Sequence, residues 1–340
     1  MKTKLLALVL GATLAVSALT GCGQFDGSRV VARVGEEEIT ADVLNFYSRF
    51  EQAQYETYYA SMMGDGMWDQ ATDPGKTYED SIKESLVDAI TGLYVLDQHK
   101  DEYNVEITDA DKKMIEEKAK EFIKENDEET LEAISGNEET VKEVLELLTI
   151  QEKMYQAMTA DVNVDITDEE AAQKSLKYVF FPLTKTDDKG QQVPMSDEEK
   201  AEKKKEAEAF YAEAVNAADL EAFATEKGQK ASVLTFDKNT LAPSEKLVKE
   251  ADKVKAGEMV PFIEEETGYY VARLTSELDR EATDGKKYQM AAERKQEKFM
   301  SLSKEWNEKA EVKVEKDIWD HISFKEQGVV IKQVEKEAEK

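Results

Sequence analysis

The chain has 340 residues, 41% hydrophobic and 35% charged, with 74 acidic against 45 basic side chains and a formal net charge of −29. That balance excludes a nucleic-acid binder, whose phosphate partners call for Lys and Arg, and a basic membrane-binding face. One cysteine excludes an internal disulfide framework and a cysteine-based zinc site, and 16 glycines with 5 prolines leave a mostly helical chain long enough for two domains.

Lys2 and Lys4 precede an apolar run from Leu5 to Leu19 without an acidic residue. It is too short for a good membrane-spanning helix and reads as an export signal over residues 1–21. It ends Leu19-Thr20-Gly21-Cys22, and residues 22–29 read as a tether. Arg29 to Val34 alternates and turns at Gly35-Glu36-Glu37, a small hairpin. Thr40 is a helix N-cap with Asp42 in the first turn, followed by Val43, Phe46, Phe50 and Ala53 at helical spacing. Tyr55, Tyr58 and Tyr59 continue that series as either core packing or a peptide-binding surface, and Met62 to Gly75 reads as a loop. Thr77 with Asp80 and Thr108 with Asp111 are capping boxes, and Asn137 caps a third long helix.

Thr167 with Glu170 opens a short helix before Leu176 to Leu183, a β-rich run ending at Pro182. A polar loop, Thr184 to Met195, leads to a long helix from Ser196 with Glu199, then a shorter one capped by Asp219. Ala231 to Phe236 is a strand. Gly257 to Leu274 forms a hairpin around an acidic turn, its second run alternating Tyr270, Ala272, Leu274 against Tyr269, Val271, Arg273. A polar helix follows Asp284-Gly285, then a short strand within Ala310–Val314, an apolar cluster at Ile318, Trp319 and Ile322, and a polar tail over 326–340.

Several stretches resemble the PrsA and SurA foldases. They are Val31-Ala32-Arg33-Val34-Gly35, Val105-Glu106-Ile107-Thr108-Asp109 and Val164-Asp165-Ile166-Thr167-Asp168-Glu169-Glu170, in that order after Leu19-Thr20-Gly21-Cys22, which resembles a lipobox. The Gly257–Leu274 hairpin resembles the close of a parvulin-type (PpiC, rotamase) peptidyl-prolyl isomerase domain. The resemblance implies an α+β fold. A mainly helical SurA-like chaperone domain over 30–165 is completed by 285–325. A parvulin-like domain over 171–276, a small antiparallel sheet flanked by helices, is inserted between them.

The resemblance further implies a foldase lipid-anchored through Cys22 on the extracytoplasmic face of the cell membrane, binding unfolded or newly exported polypeptides without nucleic acid, metal or cofactor. Where active parvulins carry two histidines, the nearest positions here are Val179, give or take one residue, and Tyr270. The family's Gly-Asp-Leu-Gly signature is replaced by Ser232-Val233-Leu234-Thr235-Phe236. Phe236, Leu241, Leu247 and Phe262 match its apolar proline pocket. The expectation is peptide binding with weak or no isomerisation. An active isomerase is the alternative; a solute-binding lipoprotein is a third reading, and it would need two lobes of repeated strand-helix units. His99 and His321 fall outside the parvulin motifs.

Overall fold

A computed structural model describes residues 13–17, 26–64 and 66–332. Cys22 and the lipobox-like residues before it lie outside them. The chain divides into two compact units, Met1–Val162 with Gln296–Lys340, and Asn163–Lys295. Every strand pairing among the described residues is antiparallel, so the fold is α+β rather than two lobes of repeated strand-helix units.

The first unit begins where sequence patterning places it. Val30–Val34 pairs with Glu37–Thr40 around Gly35, whose φ of +61° favours glycine, and Val312–Val314 adds a third strand on the other side. The Thr40 hydroxyl accepts from Val43 N and opens the Ala41–Met63 helix. Thr77 and Thr108 complete capping boxes for Tyr78–Gln98 and Asp109–Glu125, and Asn137 caps Glu138–Met158. Their apolar stripes close a core in which Phe46 meets Phe122 edge-on at 5.5 Å, over fully buried Leu44, Ile90 and Leu145. Burying each such side chain contributes roughly 1.5–3 kcal/mol.

The C-terminal part of this unit departs from expectation. Gly328–Ile331, expected to lie in a polar tail over 326–340, forms regular structure. It is a strand paired with Leu14–Ser17, a segment expected to belong only to the export signal. Gly-Val-Val-Ile is a β-branched run whose charged surroundings masked it.

From Trp319 to Ile331 much of the backbone finds partners on helix side chains. Buried Lys83 donates to the carbonyls of Trp319 and Ile322 at 2.9 and 2.7 Å, and Glu79 accepts from Phe324 N at 2.6 Å. Arg49 donates to Ser323 O and Gln327 O at 3.1 and 2.9 Å; burial pulls its guanidinium down to about 10, still charged at neutral pH. Gln52 donates to Phe324 O and Gln327 O, while Glu56 and Thr57 accept from Val329 N and Ile331 N.

In the second unit the strand order is Ile263–Glu265, Gly268–Ser276, Lys174–Pro182, Ala231–Phe236. Helices Asp197–Ala214 and Leu220–Glu226 lie against one face. Glu245–Ala251 covers the other. Gly268 is required by close approach, because a Cβ there would stand 2.4 Å from Phe181 O. Arg280–Lys309 is one helix that starts before Gly285 rather than after it. Asp279 accepts from Ala282 N at 3.0 Å and caps it earlier, and a glycine inside a helix costs only about 1 kcal/mol. Arg280 holds Asp168 with two 2.8 Å bonds, joined by Lys287, and these cations keep the Asp168 carboxyl well below its usual range.

Two stability outcomes are expected. Arg49→Met leaves the half-buried Ser323 carbonyl without its donor, while Gln327 O keeps Gln52; at about 1–3 kcal/mol for the unsatisfied group, urea unfolding should show a loss of at least ~1 kcal/mol. Half-buried Glu51 has its carboxyl raised from 4.5 to about 6, chiefly by burial. A raised folded value means the native state binds the proton more tightly, so stability falls as pH rises from 4.5 through 6. Glu51→Gln should therefore stabilise the chain, by ~1 kcal/mol more at pH 7 than at pH 5.

Candidate functional site on the four-stranded sheet

The alternation of Lys174–Pro182 sorts its side chains between the two faces. Leu176, Tyr178 and Phe180 join the cluster under Glu245–Ala251; Val179 and Phe181 join the cluster under the two other helices. Gly268–Ser276 does the same, with Tyr270, Ala272 and Leu274 on the first face and Tyr269 and Val271 on the second. Register fixes the partners: Tyr270 stands opposite Phe180, and Val271 opposite Val179.

Val179 and Tyr270 therefore do not converge. Val179 is buried on the face away from Tyr270, one residue out of step in a period of two. The neighbours of Tyr270 are Phe180, with ring centroids 4.6 Å apart, and Tyr178 at 5.8 Å. Phe236 and Leu247 share this face and are fully buried. Phe262 lies on the opposite face, stacked on Tyr269 at 5.7 Å. Leu241 is 67% exposed and joins neither cluster. The sheet thus gathers Tyr270, Phe236 and Leu247 and separates Val179, Phe262 and Leu241 from them.

Tyr178 and Phe180 fall within the one-residue margin that the sequence leaves around Val179. The alternation of Leu176, Tyr178 and Phe180 was visible, but the cross-strand register was not.

One edge of this aromatic face is polar. The Tyr270 hydroxyl donates to Pro243 O over a long 3.4 Å, and Ser244 donates to Glu265 Oε1 at 2.5 Å while capping the Glu245–Ala251 helix. Burial, then the Glu265 charge, raises the Tyr270 phenol above its ordinary value of 10.0, so it is a neutral hydroxyl donor at physiological pH. No imidazole accompanies it. His99 stacks flat on Trp306 at 4.3 Å, with Nδ1 2.7 Å from Glu102, and His321 follows the Lys316–Trp319 helix; both belong to the first unit. Among the described residues no group of three His, Cys, Asp or Glu is placed to hold a metal. The face is covered by Glu245–Ala251, with Tyr270, Phe236 and Leu247 buried, and it carries two hydroxyls, those of Tyr270 and half-buried Tyr178.

No protein-family model matches the chain. Foldase protein PrsA of Clostridium botulinum strain Langeland is 25% identical over 307 residues, covering 83% of this chain and 87% of the relative. The chain is PrsA-like. The strain Kyoto PrsA is 24% identical with the same coverage. Among solved structures, PrsA of Lactococcus lactis covers 86% of this PrsA-like chain and 99% of its own, at 13% identity and a TM-score of 0.34. For PrsA of Streptococcus pneumoniae the values are 76%, 99%, 16% and 0.30.

The separation of the apolar residues has a direct test. Phe236→Ala opens a cavity in the core and should cost the second unit about 3–5 kcal/mol in urea unfolding. Leu241→Ala, at an exposed position, should change it by less than ~0.5 kcal/mol.

Proposed function

We propose that this chain is an extracytoplasmic foldase, a chaperone of unfolded or newly exported polypeptides. Its second unit, with residues 171–276 as a parvulin-like domain, binds proline-bearing segments and isomerises them weakly or not at all. The observation that carries this reading is the extent of the likeness to the clostridial foldases. At 83% of the chain it exceeds either unit alone and so spans both.

The weak-catalysis part rests on the aromatic face. Rotation about a prolyl bond must cross a barrier of about 18–20 kcal/mol. Lowering it calls for polar groups placed around the amide. Tyr270 and its neighbour Tyr178 supply hydroxyls only, and the ring directly across from Tyr270 is Phe180, which supplies none. The parvulin resemblance leads one to expect histidines here, and the unit contains no histidine. An apolar face without that polar cluster, its rings open to a client only at half-buried Tyr178 and Phe180, has little with which to twist a peptide bond.

The anchoring part rests on sequence. Among the described residues no helix is long and apolar enough to cross a membrane. The lipobox-like Leu19-Thr20-Gly21-Cys22 supplies the means of attachment, a lipid on Cys22 after removal of residues 1–21.

The full chain should suppress aggregation of an unfolded client while accelerating cis-to-trans conversion of a prolyl peptide by less than ~10-fold. Tyr270→Phe, which removes a long hydrogen bond of at most ~1 kcal/mol, should leave both readouts in place. Robust catalysis lost in Tyr270→Phe would instead make Tyr270 a working catalytic group. Absence of any aggregation suppression would end the chaperone reading.

A further inference from the structure

The edge of Gly328–Ile331 shows what kind of chain it accepts, because one is seated there. Leu14–Ser17 pairs along it antiparallel, Leu14 opposite Ile331 and Ser17 opposite Gly328. Lys332 N donates to Thr13 O at 2.6 Å. Ladder hydrogen bonds alternate in an antiparallel pair, so the N–H of Val330 also faces the Leu14–Ser17 strand. The N–H groups of Val329 and Ile331 point the other way, to Glu56 and Thr57 of the Ala41–Met63 helix, at 2.9 and 3.0 Å. One edge is thus satisfied by the fold itself and the other by a strand.

The seat is apolar and specific for an extended segment. Leu14 is fully buried in the core of the first unit, while its N–H donates to Asn126 Oδ1 at 2.7 Å. The occupant carries no charge and brings small or apolar residues, Leu-Ala-Val-Ser. Yet these residues stand inside the export signal read from the sequence, the part a processed protein lacks. On processing, the Gly328–Ile331 edge loses its neighbour and the core loses Leu14.

We propose that this edge, with the Leu14 seat, is a second client-binding site that takes an extended, uncharged segment as an added strand, and that the leader fills it until it is removed. This rests on the chaperone reading and names the class of client segment. Recognition is by backbone pairing at Val330 and Lys332, with one apolar side chain entering the core. It is independent of the aromatic face in the second unit. A chain that still carries its leader is closed to clients at this site.

The test uses a fluorescent peptide copying residues 11–19, Gly-Ala-Thr-Leu-Ala-Val-Ser-Ala-Leu, and the full-length chain with and without Leu14→Asp. The aspartate unseats the leader, so the variant should bind the peptide at least ten-fold more tightly than the unaltered chain. Val330→Pro in the same background removes the N–H that faces the added strand and should abolish binding. A peptide with aspartate at the Leu14 position should not bind. Where Leu14→Asp lowers the melting temperature by more than a few degrees, the processed chain starting at Cys22 gives the same comparison without that substitution.

Equal binding with and without Leu14→Asp, or binding unaffected by Val330→Pro, overturns the proposal. A Leu14→Asp chain that dimerises through this edge, with the dimer lost in Val330→Pro, also overturns it, by making the occupant a second copy. Aggregation of an unfolded client is followed in the same samples. Suppression without peptide binding removes this site and leaves the chaperone reading intact; peptide binding without suppression removes the chaperone reading and leaves the leader's seat.

Discussion

The C-terminal segment of the first unit depends on side chains that would be costly to bury alone. Trp319 to Ile331 contains only a short strand and the end of a one-turn helix, so many of its peptide groups find no partner in regular structure. Arg49, Gln52, Glu56, Glu79 and Lys83 reach from two helices to supply those partners. Each of these groups is itself stabilised by the backbone it serves, and Lys83 and Arg49 also lie over the rings of Trp319 and Phe324 at 4.7 and 5.6 Å. The arrangement is reciprocal: neither the buried charges nor the irregular backbone is tolerable without the other.

That reciprocity sets the position of residues 320–331. The carbonyls of Ser323 and Gln327 fix the turn, Glu56 and Thr57 fix one edge of Gly328–Ile331, and the opposite edge is thereby presented to an incoming strand. A pairing edge held from behind by side chains has no second strand to satisfy it, the condition under which a sheet edge recruits another chain. The second unit solves its geometry differently. Its antiparallel sheet splits alternate residues between two apolar clusters, and the split puts Tyr270 with Phe180 and Tyr178.

The amino-acid sequence carried the helix starts well, since Thr40, Thr77, Thr108, Asn137, Thr167, Ser196 and Asp219 each cap a helix by local chemistry. It also carried the strands of the sheet, whose alternation is local. What it did not carry was pairing at a distance. The position facing Tyr270 was legible from its own strand only to within one residue of Val179, and the register settles it as Phe180. Leu241 is apolar but lies beyond the strand, in the polar stretch 237–244. Gly328–Ile331 was submerged in a charged tail, because its partners lie more than 270 residues away at Glu56 and Thr57.

Amide hydrogen exchange on the full chain tests most directly whether buried helix side chains hold the C-terminal segment. The amides of Phe324, Val329 and Ile331 donate to Glu79, Glu56 and Thr57 rather than to water. The account predicts that all three exchange only through unfolding of the first unit, as slowly as amides in the middle of the Ala41–Met63 helix. Exchange at the rate of a free peptide, with the helix still protected, would contradict it.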